Sequence, residues 1–204
     1  MYLHTISPEL KKIIESVFAN SSFKEFSLCG GTALSLQTGH RVSLDADFIS
    51  EQSFDSNELI KKILVTFPRA TDVHSGSFGL FLKINSIKVD FLSWNIPFIR
   101  EIVKENNFRL LHIEEIIAMK LFAILQRGEK KDYMDIASLV SKYSLKQMLG
   151  FYRERHKVSD SATVLRFLAS YSDLENQPVP TMLNSLTWEQ SKIILASAIK
   201  DYLQ

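Results

Sequence analysis

Leu44-Asp45-Ala46-Asp47-Phe48 alternates apolar and acidic side chains, and the alternation runs through residues 44–49 as in a β-strand with one face on a core. Residues two apart on a strand share a face, so Asp45 and Asp47 are expected to project together. Leu44, Ala46 and Phe48 are then expected to turn inward. Two neighbouring carboxylates repel each other and are costly to hold without a cation. Mg²⁺ takes oxygen ligands, commonly one or two carboxylates plus substrate phosphates, so the pair suits a metal–nucleotide complex. Solvated acids on an open sheet face would show the same pattern, and the flanking sequence has to decide.

Downstream, Ile87-Lys88-Val89-Asp90-Phe91 repeats the pattern. Ile87, Val89 and Phe91 read as inward, with Lys88 and Asp90 on the other face. If the two strands are neighbours, Asp90 is a third carboxylate at the same place. Two cations about 4 Å apart there could activate a hydroxyl and stabilise a leaving pyrophosphate. Upstream, Gly30-Gly31-Thr32 joins a strand expected at 26–28 to a short helix at 32–36 that Gly39 closes. Glycines let a backbone approach a ligand, and a helix N-terminus offers free N–H groups to phosphate. Thr32 reads either as that helix's cap or as a phosphate contact. Arg41 and Ser43, just before the acids, are within reach of a phosphate or are ordinary loop residues.

A helix expected at 113–127 has its apolar stripe at Ile113, Ile116, Ile117, Leu121 and Ile124, and Lys120 falls near the middle of it. A buried ammonium needs an anion, either a triphosphate or carboxylates of the site. In the next helix, expected at 132–143, Asp132 reads as an N-cap. Asp135, fifteen residues beyond Lys120, is suited to pair with that lysine and orient it. Residues 96–157 hold twelve Lys/Arg against eight Asp/Glu, an excess that fits an RNA backbone and a solvated helical surface about equally.

The first 95 residues mix strands and helices. Ser7-Pro8-Glu9 is a helix start, a further helix is expected at 56–65, and strands at 80–84 and 87–92 flank Asn85-Ser86. Beyond that point one strand is expected at 108–111, and helices follow at 146–155, 160–170 and 188–203. The layout is α+β: a mixed-sheet core over residues 1–95 and a mainly helical lobe over 96–204. Fourteen phenylalanines supply a large core, and the net charge of +1 gives no global attraction to nucleic acid or membrane. The single cysteine, Cys29, excludes an internal disulfide and a Cys-rich zinc site. The chain lacks a signal-peptide pattern and any run of about 20 apolar residues, so a soluble cytoplasmic protein with no membrane partner is expected.

Taken in order, Gly30-Gly31-Thr32-Ala33-Leu34, Gly39-His40-Arg41-x-Ser43-x-Asp45-x-Asp47-Phe48, Lys88-Val89-Asp90-Phe91, Lys120 in its helix and Lys131-Asp132-Tyr133-x-Asp135 resemble the AbiEii/AbiGii-type toxin nucleotidyltransferases, a branch of the DNA polymerase beta-like superfamily. The resemblance covers roughly residues 1–145. It implies a nucleotidyltransferase-like mixed sheet with flanking helices, and transfer of NMP from an NTP to an acceptor, which in such toxins can be the tRNA 3′ end. It also implies Mg²⁺ (or Mn²⁺) on Asp45 and Asp47 with Asp90 as third acid, Lys120 on the triphosphate, Asp135 in support, and a cognate antitoxin protein as partner. Gly31 stands where many polymerase-beta-like enzymes carry serine, which leaves phosphate contacts to backbone N–H groups or Thr32. Nucleotidylation of a protein or small molecule, and a non-catalytic nucleotide- or RNA-binding module, are the alternatives. The intact Asp45, Asp47 and Lys120 speak against the module.

Overall fold

The computed structural model describes residues 1–158 and 161–204. The chain divides into two compact units, one of Met1–Thr38 with Ser43–His112, the other of Gly39–Val42 with Ile113–Gln204.

In the first unit, α1 (Pro8–Ala19) starts where the sequence dictates: Pro8 needs no hydrogen-bond acceptor, and Ser7 Oγ accepts the Leu10 N–H at 3.1 Å. Its apolar stripe Leu10, Ile13, Ile14 and Val17 is buried. Then come β1 (Ser27–Cys29), α2 (Gly30–Thr38), β2 (Ala46–Ser50) and α3 (Ser56–Thr66), whose cap Asp55 accepts from the Glu58 N–H at 2.9 Å. The strands β3 (Ala70–Gly76), β4 (Gly79–Ile84), β5 (Ile87–Ser93), β6 (Val103–Glu105) and β7 (Phe108–Leu110) complete the unit. Among the described residues these strands form one mixed sheet in the order β3-β4-β5-β2-β1-β7-β6, with β2 in the middle. Asn85 and Ser86 both take positive φ (49° and 68°), the backbone of a tight primed hairpin turn between β4 and β5. One sheet face carries Phe48 stacked on Phe91 at 5.2 Å, with Phe26 edge-on to Phe91 and Phe18 edge-on to both Phe48 and Phe108. Each such pair contributes about 0.5–1.5 kcal/mol beyond its buried area.

Three expectations change here. Leu44 is not inward but 76% exposed, because β2 begins only at Ala46. The Asp45 carbonyl is engaged by the Thr32 hydroxyl, which keeps this residue outside the strand. β3 has no signature in the sequence, because Ala70–Gly76 is mostly exposed and has no apolar alternation. It is an edge strand held from one side, with a register shift between Thr71 and His74 of the kind that blunts an edge. β6 and β7 belong to the sheet, so the first unit runs to His112 and not to residue 95.

The second unit consists of α4 (Ile113–Gln126), α5 (Lys130–Ala137), α6 (Leu145–His156), α7 (Ala162–Leu168) and α8 (Trp188–Leu203), with the short segment Gly39–Val42. α6 and α8 open with capping boxes, Ser144 with Gln147 and Thr187 with Gln190. The Gly39–Val42 segment is stitched in by main-chain bonds: Val42 N–H to Thr181 O at 2.9 Å and Leu183 N–H to His40 O at 2.8 Å. Arg155 of α6 and Glu115 of α4 form an ion pair almost wholly removed from water. α5 stops at Ala137, short of residue 143, and the start expected for α7 at Asp160 lies outside the described residues. Among the described residues no helix is long and apolar enough to cross a membrane.

Candidate active site

The first unit brings the sheet acids together. β2 and β5 run parallel in a register that sets Asp47 beside Asp90. Asp90 is buried; its Oδ2 lies 2.8 Å from Lys88 Nζ, and its Oδ1 has no hydrogen-bond partner. Burial pushes the Asp90 pKa up, Lys88 offsets part of this, and the charge of Asp45 adds to the rise. At Lys88, burial works against the ammonium, but Asp90, Asp47 and Asp45 together raise its pKa. The ammonium therefore sits in the field of all three carboxylates. Asp90→Asn is expected to raise stability at pH 7 in urea unfolding, because an acid with a raised folded pKa carries a penalty whenever it is ionised. A lower urea midpoint for the variant would contradict this.

Gly30 explains how the backbone comes so close to these acids. Its φ is +64°, and a Cβ there would stand 2.5 Å from Asp47 Oδ2. Gly30→Ala therefore meets both a left-handed backbone, at about 1–2 kcal/mol, and the carboxylate itself. The expected result is a loss of that size in urea unfolding together with impaired divalent-cation binding; normal cation binding would show that Asp47 tolerates displacement.

Gly31, Thr32 and Ser43 are buried. Thr32 Oγ1 donates to the Asp45 carbonyl at 2.5 Å and lies 2.8 Å from Ser43 Oγ. In this arrangement both hydroxyls hold the segment that presents Asp45, a positioning task the sequence reading did not assign to them.

Among the described residues no three His, Cys, Asp or Glu side chains form a ready-made metal cluster. The acids nevertheless fit a hard divalent cation that arrives with phosphates, which needs only one or two carboxylates. The orphaned Asp90 Oδ1 is a donor of the right kind.

The second unit contains a charged core. Lys120 Nζ lies 2.7 Å from Asp132 Oδ1 and 2.8 Å from Asp135 Oδ2. Arg41 grips the same Asp135 through Nε at 2.7 Å and Nη2 at 3.1 Å, and His40 Nε2 lies 2.8 Å from its Oδ1. None of the five side chains is more than 6% exposed. Burial opposes the Lys120 charge, yet Asp132 and Asp135 overcome it and raise the pKa. Burial likewise opposes the Asp135 charge; Lys120 and Arg41 outweigh it, with hydrogen bonds from His40 and Arg41, and hold the carboxyl well below the usual range.

The expected pairing of Lys120 with Asp135 is present, but the anions that meet the lysine come from its own unit. Asp132 is not an N-cap: α5 begins two residues earlier after Glu129, and Asp132 serves Lys120 instead. Arg41 is directed to a carboxylate. His40 had no assigned role, and periodicity could not have found it, since it lies in a non-helical segment 95 residues from Asp135. Burial leaves the basic excess of residues 96–157 unchanged, because Lys120, Lys130 and Arg155 are buried and so are Glu115, Asp132 and Asp135. Lys130 and Arg155 are buried, the first over Trp188 at 5.1 Å and the second against Glu115.

A mixed sheet that pairs acids on adjacent parallel strands behind a glycine turn, in a chain with a helical second unit, is the architecture of a nucleotidyltransferase. The model of the nucleotidyl transferase AbiEii toxin family, of type IV toxin–antitoxin systems, matches residues 13–195, and the chain belongs to that family. It is similar to an uncharacterized Aquifex aeolicus (strain VF5) protein, 26% identical over 208 residues that cover 99% of this chain and 100% of the relative. Its fold is similar to a Helicobacter pylori crystal structure assigned as a nucleotidyltransferase (TM-score 0.60, 17% identity, 97% of this chain and 99% of the other). It is also similar to JHP933 from Helicobacter pylori (TM-score 0.58, 17% identity, 96% and 92%).

Proposed function

We propose that this protein transfers NMP from an NTP to the 3′ end of an RNA, with tRNA as the acceptor, in the cytoplasm, as the toxin half of a toxin–antitoxin pair. The observation that carries the reading is the carboxylate row, Asp47 beside Asp90 with Asp45 close by, behind a glycine that only a residue without Cβ can be. Asp45 and Asp47 hold the cation and Asp90 offers a third oxygen donor. Mg²⁺ (or Mn²⁺), when bound, supplies the positive charge that neutralises the triphosphate and the departing pyrophosphate. Thr32 and Ser43 fix the Asp45 backbone.

Lys120 holds the charged core of the second unit together in this reading. Asp132 and Asp135 support that role by keeping its ammonium charged although it is buried. Asp135 acts through Lys120 and Arg41 as a positioning residue. The RNA acceptor follows from the likeness to toxins of this family.

The test is to incubate the protein with each labelled NTP, Mg²⁺ and either total RNA or a lysate. Label in tRNA supports the proposal. Label in protein or in a small molecule redirects it to that acceptor, and tight NTP binding with no label in any acceptor overturns it.

A further inference from the structure

The register that sets Asp90 beside Asp47 continues across the sheet. Phe81 of β4 is the partner of Asp90, and His74 of β3 is the partner of Phe81. Residues paired in register point to the same face, so acids and rings form one row. Leu80 and Leu82, on the other face, are buried, whereas Phe81 is half-buried and His74 exposed. The two rings are stacked, with centroids 5.4 Å and planes 22° apart.

The surroundings build this stack. A Cβ on Gly76 would stand 2.8 Å from Phe81 Cε2, so a larger residue there would push the phenyl ring away from its place against β3. His74 Nδ1 lies 2.9 Å from the Asp72 carbonyl, which sets the turn of the imidazole. Beside the rings, Lys83 and Lys88 are paired in register on the same face, and both remain about half exposed while bonded to Asp72 and Asp90. These two cations offset Asp72 and Asp90 locally, which leaves the charge of Asp45 and Asp47 to be met by a bound cation before a phosphate approaches the row. A cross-strand ring pair also stiffens a hairpin edge, but that role requires no open ring face beside a carboxylate row.

We propose that the His74–Phe81 stack seats an unpaired nucleobase near the 3′ end of the RNA acceptor, extending the stack on the open face of the imidazole. Strands lie about 4.8 Å apart, so His74, two strands from Asp90, is about 10 Å from it, a reach that a terminal and a penultimate nucleotide span. The lysines then line the path of the backbone phosphates. This inference rests on the RNA reading above and adds where the acceptor is held.

The test uses the full chain, a fluorescein-labelled single-stranded RNA oligonucleotide followed by anisotropy, and a separate NTP titration. His74→Ala is expected to weaken oligonucleotide binding on the order of tenfold, the size of one base–ring stack, and to leave NTP binding unchanged. His74→Trp is expected to tighten RNA binding, which a purely structural role would not do. An oligonucleotide abasic at its penultimate position is expected to bind the wild type as weakly as the intact RNA binds His74→Ala, with no further loss on that variant. Equal RNA affinity of wild type and His74→Ala, or a loss falling equally on NTP, overturns the assignment. If the wild type labels RNA yet His74→Ala binds it normally, only the stack fails. If the wild type neither binds nor labels RNA, the RNA reading fails as well.

Discussion

Lys120→Met should lower the stability of this protein by about 3–5 kcal/mol, the cost of leaving buried carboxylates without their cation. Met keeps the length of the lysine stem and removes the ammonium. Asp135 retains Arg41 and His40, but Asp132 is left with Arg127 Nε at 3.5 Å as its remaining cation. Against the roughly 5–15 kcal/mol that a domain has in total, the loss is large enough to shift the urea midpoint visibly.

The effect has a pH signature. Asp135 has a depressed pKa in the folded protein, so its contribution is present above the unfolded carboxylate pKa of about 4 and is lost as pH falls through the folded value. Lys120 has a raised pKa, so its contribution is complete below the ordinary lysine value and is lost only as pH rises through the higher folded one. The gap between wild type and variant should therefore be widest near neutrality and close in acid, once the carboxylates of both are protonated. A variant with an unchanged midpoint at pH 7 would mean that water, not Asp132 and Asp135, satisfies the lysine.

The charged core around Lys120 is only half legible in the sequence. The helical stripe located Lys120 as a misplaced charge, and the spacing to Asp135 suggested its partner. Helical periodicity works because α4 is long and its neighbours repeat every three or four residues. His40 and Arg41 gave no such signal, since they lie in a segment that main-chain bonds to residues 181–183 hold in place. Contacts at that sequence distance leave no local pattern.

The sheet shows the same division. β2, β4 and β5 were legible because they alternate, and Asp90 beside Asp47 followed from pairing them. β3 was not, because an exposed edge strand buries too little to impose a period, and the His74–Phe81 stack was missed with it. Asp45 is the instructive case. Strand alternation extended one turn of the pleat too far and made Leu44 a core residue. Thr32, thirteen residues upstream, pulls the Asp45 carbonyl out of the ladder, so Asp45 reaches the acids from a loop while Asp47 reaches them from a strand.

This difference in support shapes the largest effect on activity. Asp47→Asn should reduce NMP transfer on the order of a thousandfold or more, since cation-borne stabilisation of a transferring phosphoryl group is worth several kcal/mol, and each 1.36 kcal/mol is a factor of ten. Asp45→Asn should lose a similar amount, and neither should lower the urea midpoint, because removing one of several neighbouring like charges relieves repulsion. Loss of activity with stability kept distinguishes these two residues from Lys120, whose replacement should lower the midpoint. The checks are single-turnover transfer of labelled NMP and titration of Mn²⁺ in the presence of an NTP, where both variants should lose the tight cation. If Asp47→Asn kept transfer within tenfold of wild type, the acids would be solvated groups on an open sheet face, and the metal reading of this row would have to be abandoned.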